Sequence, residues 1–546
     1  MARATRTNPI VLRQGMTIGT GSAETDDEFL FDCFIHYPPV EICQDVKSPA
    51  MIVAGRTGAG KTAIFRHIKG SVEHAVDIDP SEMAMSYASN SDVLNFLQAI
   101  GADLDLFFQI LWKHVLCIEY IRLRWSVQDE QKSLNVFAHL AALVTKDARK
   151  QRALNYLREW EGRFWITMDQ NIKEITESYE GKISAEMGGE IQKFKAGGRY
   201  EKRMSTDRKS ELVARARRIM NADQLAELAS VIDLLAEYDL SDKMNKFYIL
   251  VDRLDERWVD ASIRFRLIRA LIESLKAFKR ITNLKILVAL RTDILERVVQ
   301  ETSDLTFQRE KFEDYFVRLK WSRPQLKSLV DKRMDHLFKR QYSTKPILFD
   351  DVFTYKVGNQ SPFDYIVDRT FLRPRDVIAF VNECIKVAEG EYEITASKVR
   401  RAELEFSRIR RDALEQEWKS AFPTLGIMID LIAANKRTYI DVSAVCSRPE
   451  VEDLALAVYS SGKQDFDPLF DVARNYVEAK QQNPLQMICF VLGILYRVGA
   501  VGLKLRAGDR YNYSHLDQPI IPIGLIDENS KVGIHPMLHA ALRLER

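Results

Sequence analysis

Gly55-Arg56-Thr57-Gly58-Ala59-Gly60-Lys61-Thr62-Ala63 places two glycines, a lysine and a threonine at the spacing GxxxxGK[ST], which suits a loop that holds phosphate. Glycines let successive backbone N–H groups turn inward around phosphate oxygens, and the positive end of a following helix adds to them. Lys61 is expected to reach the outer phosphates and the Thr62 hydroxyl to ligate Mg2+, so ATP and Mg2+ are the expected cofactors. The competing reading is a Gly-rich turn with structural meaning only. The setting favours nucleotide, because Met51-Ile52-Val53-Ala54 reads as a strand before the loop and Ala63-Ile64-Phe65-Arg66-His67-Ile68 as a helix after it.

Such a loop requires an acid at the end of another apolar strand, and Phe247-Tyr248-Ile249-Leu250-Val251-Asp252 supplies one. Asp252 is the expected second holder of Mg2+. The chain continues Arg253-Leu254-Asp255-Glu256, and either Asp255 or Glu256 is expected to direct the attacking water; the bland alternative is a solvated acidic turn. A further strand, Lys285-Ile286-Leu287-Val288-Ala289-Leu290, ends in Arg291-Thr292-Asp293. Arg291 either reads the γ-phosphate, since a guanidinium binds phosphate oxygens bidentately, or pairs with Asp293 or Glu296. Arg373-Pro374-Arg375-Asp376 opens an apolar helix, with proline suited to the first turn. From there Arg375 either reaches the nucleotide or is a solvated helix-terminal charge.

Strands alternating with helices predict an α/β fold: a P-loop NTPase parallel sheet with helices on both faces and ligand at the carboxyl ends of the strands. Residues 1–49 form an N-terminal segment, 50–127 the first part of the ATPase core, and 237–321 its second part with the acid and sensor strands. The stretch between Lys61 and Asp252 exceeds what a core requires, so 128–236 is read as a helical insertion arm. Its basic run from Lys193 to Arg218 contains the acids Glu201, Asp207 and Glu211, so a solvated helical face is favoured over nucleic-acid contact. Residues 322–422 read as a helical lid with a charged linker helix, and 423–546 as a C-terminal winged-helix-like domain. In that domain 502–513 alternates like a hairpin around a Gly-Asp turn. The module either binds DNA or serves as an internal clamp or protein contact. His535 and His539 are four apart without a third ligand nearby, which favours core or surface histidines over zinc.

The 79 Lys and Arg against 77 Asp and Glu leave a net charge of +2, which removes any whole-chain electrostatic argument for nucleic acid or an anionic membrane. Six cysteines without a CxxC pair signal neither a zinc knuckle nor a disulfide framework and read as buried thiols. No secretory h-region and no apolar run of roughly 20 residues is present, so the expectation is a cytoplasmic protein with no membrane contact.

Together the loop 55–62, Asp252 to Glu256, Arg291 to Asp293 and Arg373 to Asp376 resemble the ASCE division of P-loop NTPases, in the bacterial and phage-associated branch close to the KAP, STAND and AAA+ ATPases. Ala23-Glu24-Thr25-Asp26-Asp27, an LWKHVL-like helix at 111–116, Lys320-Trp321 and Ile534-His535-Pro536 resemble elements of a little-characterised bacterial P-loop ATPase family. Many AAA+ relatives carry glutamate directly after the first acid, where this chain has Arg253. The resemblance implies an ATP-hydrolysing molecular switch in genome maintenance or anti-phage defence, acting as a homo-oligomer or with a partner effector protein. The alternative is a nucleotide-stabilised scaffold with little turnover. DNA contact through the arm or the C-terminal domain remains open.

Overall fold

The computed structural model describes residues 10–80, 104–126, 148–160, 222–239, 245–256, 261–301, 313–339, 345–419, 421–434, 436–447, 449–460, 469–478, 483–518 and 520–545. The chain divides into two compact units, one of residues 36–319 and one of residues 1–35 with 320–546. The basic run 193–218, along with most of the predicted arm, lies outside the described residues.

The 36–319 unit is built on a parallel five-stranded sheet of β1 (Ile52–Gly55), β2 (His74–Ile78), β3 (Phe247–Val251), β4 (Leu284–Arg291) and β5 (Phe316–Arg318), in the order β2-β3-β4-β1-β5. Every residue of β3 is buried, as is β4 from Leu284 to Leu290. That explains their uninterrupted apolar runs, since a strand in the middle of a covered parallel sheet has no solvent face. This is an α/β, P-loop NTPase-like arrangement, with β4 between the P-loop strand and the acid-bearing strand. Helices Asp105–Trp125 and Ala261–Phe278 pack against each other, and the first also packs on β2 and β3. The LWKHVL-like segment is part of this core: Trp112 Nε1 donates to Leu267 O at 2.9 Å, and His114 lies 2.9 Å from the Tyr156 hydroxyl. Two described helices of the predicted arm, Ala148–Trp160 and Ala222–Asp239, contribute Leu154, Leu157, Leu228 and Leu235 to the same apolar cluster as β3.

A lysine in this sheet makes stability depend on pH. Lys285 of β4 is buried and its Nζ donates to Ser48 O at 2.9 Å; burial pushes its pKa down to about 8, against the opposing pull of Cys43 and Asp45. Between that value and the ordinary 10.5 the unfolded chain keeps a proton that the folded chain has lost, so stability rises with pH across this window. Relative to Lys285→Met, the wild type is expected to gain roughly 2–3 kcal/mol between pH 8 and 10, at about 1.4 kcal/mol per pKa unit. Urea unfolding of both proteins at several pH values checks it; parallel curves for the two would refute it.

In the other unit, helices Arg323–Lys339, Pro374–Val387 and Ala396–Trp418 share a core in which Phe380 stacks on Phe406 at 4.3 Å. Arg373 is the N-cap residue of the second of these and Pro374 opens it. Residues 10–35 belong to this unit: Ile18 N donates to Asn382 Oδ1 at 2.9 Å, Asn382 Nδ2 donates to Gly19 O at 2.8 Å, and Arg333 pairs with the buried Asp26 carboxylate. Gly19, at φ +89°, has no room for a Cβ, which would collide with the Asp26 and Arg333 side chains. Further on, helices Leu425–Ala433, Glu450–Ser460, Phe470–Glu478 and Pro484–Val498 accompany an antiparallel sheet of β6 (Tyr439–Asp441), β7 (Val501–Lys504), β8 (Asn512–Tyr513) and β9 (Lys531–Ile534), ordered β6-β9-β7-β8. Asn483 caps the last helix by accepting from Gln486 N, and Gly499 ends it at φ +92°. The expected hairpin is β7–β8.

All six cysteines are free thiols, five of them buried and Cys446 partly so. Among the described residues no helix is long and apolar enough to cross a membrane.

Candidate functional site

β1 ends at Gly55, and the helix Lys61–Ser71 begins six residues later. The loop between them needs backbone that side chains disfavour: Gly58 sits at φ +76° and Gly60 at φ +99°, where it caps the helix. A Cβ at Gly55 would lie 3.2 Å from Cβ of both Ala59 and Leu319, so a side chain there would have to push both neighbours aside. Ala59 N donates to Arg56 O at 3.1 Å, tightening the turn. Thr57 lies in the loop, Ala63 in the first turn of the helix.

Lys61 folds back over the loop, its Nζ donating to Gly55 O at 3.0 Å and Arg56 O at 3.2 Å. Burial lowers its pKa, and the charges of Asp255 and then Asp252 oppose that shift. The Thr62 hydroxyl donates to Asp252 Oδ2 at 2.9 Å, bringing together the two predicted Mg2+ holders from positions 190 residues apart. Burial raises the Asp252 pKa, while Arg253 N, donating to Oδ1 at 2.8 Å, and Thr62 counteract it.

Sheet order explains the convergence. Gly55 is level with Arg291 on β4, and Val251 is level with both Val288 and Ile78, so Asp252 and Asp79 each follow a strand tip on the same edge. Arg291 is clasped by Asp293 (Nε–Oδ1 3.0 Å, Nη2–Oδ2 2.8 Å), and its Nη1 reaches Asp255 Oδ2 at 3.3 Å. Arg253 stands at φ +60°, and its Nη1 binds Asp79 Oδ2 at 2.9 Å while Nε lies 3.9 Å from Glu256. The two candidate water-directing acids are therefore separated by chemistry. Asp255 joins Arg291 and acts on Lys61; Glu256, more exposed, faces Arg253 and Asp79, and the burial it has raises its pKa. Arg264 holds the turn that carries both, donating to Asp255 O at 3.3 Å and Glu256 O at 3.0 Å.

Asp79 escaped the sequence reading: it directly follows β2, whose His74-Ala75-Val76-Asp77-Ile78 lacks the uninterrupted apolar run that marked Asp252. Arg375 belongs to the other unit, where its Nε donates to Gly21 O at 2.9 Å. His535 accepts from Met537 N at 3.1 Å as a helix cap, and His539 Nε2 lies 2.8 Å from Ile534 O.

The loop residues fit Mg·ATP. Left-handed glycines open the backbone, Lys61 presents its ammonium to loop carbonyls, and the Thr62 hydroxyl and Asp252 carboxylate are the hard oxygen donors that Mg2+ takes. When bound, the ion would neutralise charge on the phosphate oxygens.

Residues 324–415 match the FunZ-associated C-terminal helical domain family. A protein of Escherichia coli (strain K12), provisionally described as the transposon gamma-delta 80.3 kDa protein, is 24% identical over 322 residues. That match takes in 58% of this chain and 42% of the relative's length. Among solved structures, a Walker-type ATPase of Pyrococcus abyssi aligns with TM-score 0.36 and 10% identity, over 93% of this chain and 96% of that one.

Proposed function

We propose that the chain binds Mg·ATP at the 55–63 loop and hydrolyses it, working as a nucleotide-driven switch in bacterial genome maintenance. The observation that carries the reading is the Thr62–Asp252 hydrogen bond beside Lys61, which brings the acid after β3 to the loop that would hold phosphate and metal. Strand β4 between β1 and β3 supports the ASCE part of the resemblance. The transposon description of the Escherichia coli relative supports genome maintenance over phage defence as the setting. In this reading Arg291 senses the γ-phosphate, and the 322–422 region, with Arg375, is the lid that responds to it. The 423–546 region acts as the winged-helix-like module, and the working form is a homo-oligomer or a complex with an effector protein.

Asp255 is the acid that directs water, because it faces Lys61 and is oriented by Arg291. Asp255→Asn is expected to cut steady-state ATP turnover about a hundredfold, the usual scale for losing a positioned base, with ATP binding retained. Glu256→Gln is expected to keep most of its turnover. Hydrolysis assays beside equilibrium binding of a fluorescent ATP analogue decide it: turnover lost only in Glu256→Gln reverses the assignment. Unchanged turnover in both variants leaves the site without a carboxylate base.

A further inference from the structure

Alternation along the antiparallel sheet separates two faces. Ile440, Val501, Leu503, Val532 and Ile534 are buried on one. On the other, the register sets Tyr439, Gly533, Gly502 and Tyr513 in one row across all four strands. The next row places Asp441, Lys531 and Lys504 side by side.

The two glycines make room for rings. A Cβ at Gly502 would lie 2.6 Å from Cε1 and Cζ of Tyr513, and one at Gly533 would lie 3.1 Å from Tyr511 Cδ1 and 3.3 Å from Tyr439 Cε1. The tyrosines thus lie across bare backbone, Tyr439 and Tyr511 with centroids 5.0 Å apart and tilted 39°. Tyr439 is 60% exposed, a large aromatic surface left to solvent on a sheet whose other face forms the core. The bordering charge is uneven. Lys531 pairs with Asp441 at 3.0 Å and Arg510 with Asp517, and Asp509 accepts from the Arg506 backbone. Lys504 stands directly opposite Lys531, whose charge is already met by Asp441, and among the described residues the register sets no acid across from Lys504 itself, leaving a cation on this face that an external anion could meet.

We propose that this face is a stacking platform for unpaired bases of a single-stranded nucleic acid, with Tyr439 and Tyr511 beneath the bases and Lys504, Lys531 and Arg506 meeting the phosphates. Flat aromatic rings beside cations are how single strands are held without reading sequence. The site is built on the sheet and on the connection between β7 and β8, which carries Arg506 and Tyr511, and it stands apart from the ATP reading.

Fluorescence anisotropy of labelled oligo(dT), with oligo(rU) and a DNA duplex as further arms, tests it on the full chain. Wild type is expected to bind oligo(dT) at low salt and the duplex more weakly. Tyr439→Ala and Tyr511→Ala each lose about tenfold in affinity, the scale of one stacked base, whereas Tyr439→Phe keeps it. Lys504→Ala lowers the salt slope by about 0.7, one phosphate's share on a single strand. Stronger binding of oligo(rU) than of oligo(dT) keeps the platform and identifies RNA as the source of the strand. Lys61→Ala is expected to bind oligonucleotide like wild type, so failure of the ATP site and of the platform are told apart. Absence of binding by either oligonucleotide, equal binding by Tyr439→Ala at an unchanged melting temperature, or tighter binding of duplex overturns the proposal.

Discussion

Lys61→Ala is expected to lower ATP turnover by about three orders of magnitude while leaving the protein folded. Its ammonium is the cation set directly among the oxygen donors of the site, and preorganised charges of this kind contribute on the order of a hundred- to a thousandfold each to transfer reactions. In the structure its hydrogen bonds go to loop carbonyls, Gly55 O and Arg56 O, so the fold loses about 1 kcal/mol for each neutral-acceptor bond and keeps its core. Removing the charge also takes from Asp252 a neighbour that favours its ionised form. Turnover and melting temperature, measured together on wild type and variant, check the claim. Full activity in Lys61→Ala would remove the hydrolytic reading altogether.

Asp376→Ala should produce the largest loss of stability. Its carboxylate, fully buried, accepts from Arg373 Nε at 2.7 Å and Phe371 N at 3.2 Å, and Arg410 Nε lies 3.4 Å away. Glu417 lies further off, 3.7 Å from Arg373 Nη1. Truncation would take the central carboxylate from two buried guanidinium groups, and breaking a buried charge network in this way costs roughly 3–5 kcal/mol. Burial acts to raise the Asp376 pKa, but Arg373 and Arg410 prevail and hold it below the usual carboxylate value of 3.8. The stabilisation is therefore complete above that value and is lost as pH falls through the depressed one. Urea unfolding at pH 7 should show the full deficit, and the wild-type curve should approach the variant's as acid protonates the group. A deficit under about 1 kcal/mol would show that the arginines are satisfied by other means.

The parts legible in the sequence were those whose signal is local. The glycine spacing before Lys61 and the apolar run ending at Asp252 can each be read within a dozen residues, and sheet topology brings them within hydrogen-bonding distance. Choosing between Asp255 and Glu256 needed neighbours from other strands, Arg291 from β4 for one and Asp79 beyond β2 for the other. Asp79 itself gains meaning only from lying level with Asp252 across paired strands. β6 and β9, of three and four residues, were too short to show a period and complete a sheet of which only the hairpin was foreseen. The resemblance at 111–116 turned out to mark packing, with Trp112 and His114 both buried.

The buried Arg333–Asp26 pair and the Asn382 bonds to residues 18–19 have a consequence during synthesis. Residues 10–35 leave the ribosome before the 36–319 unit, yet their partners lie beyond residue 320, after the whole sheet-bearing unit. At ~5–20 residues per second the early segment waits roughly tens of seconds for the helices it must join. The nascent chain can complete the sheet-bearing unit in that interval, with Ile18 and Leu12 still uncovered. Ribosome-bound intermediates stalled before residue 320 would therefore present an apolar segment that the finished protein hides, a natural target for chaperones.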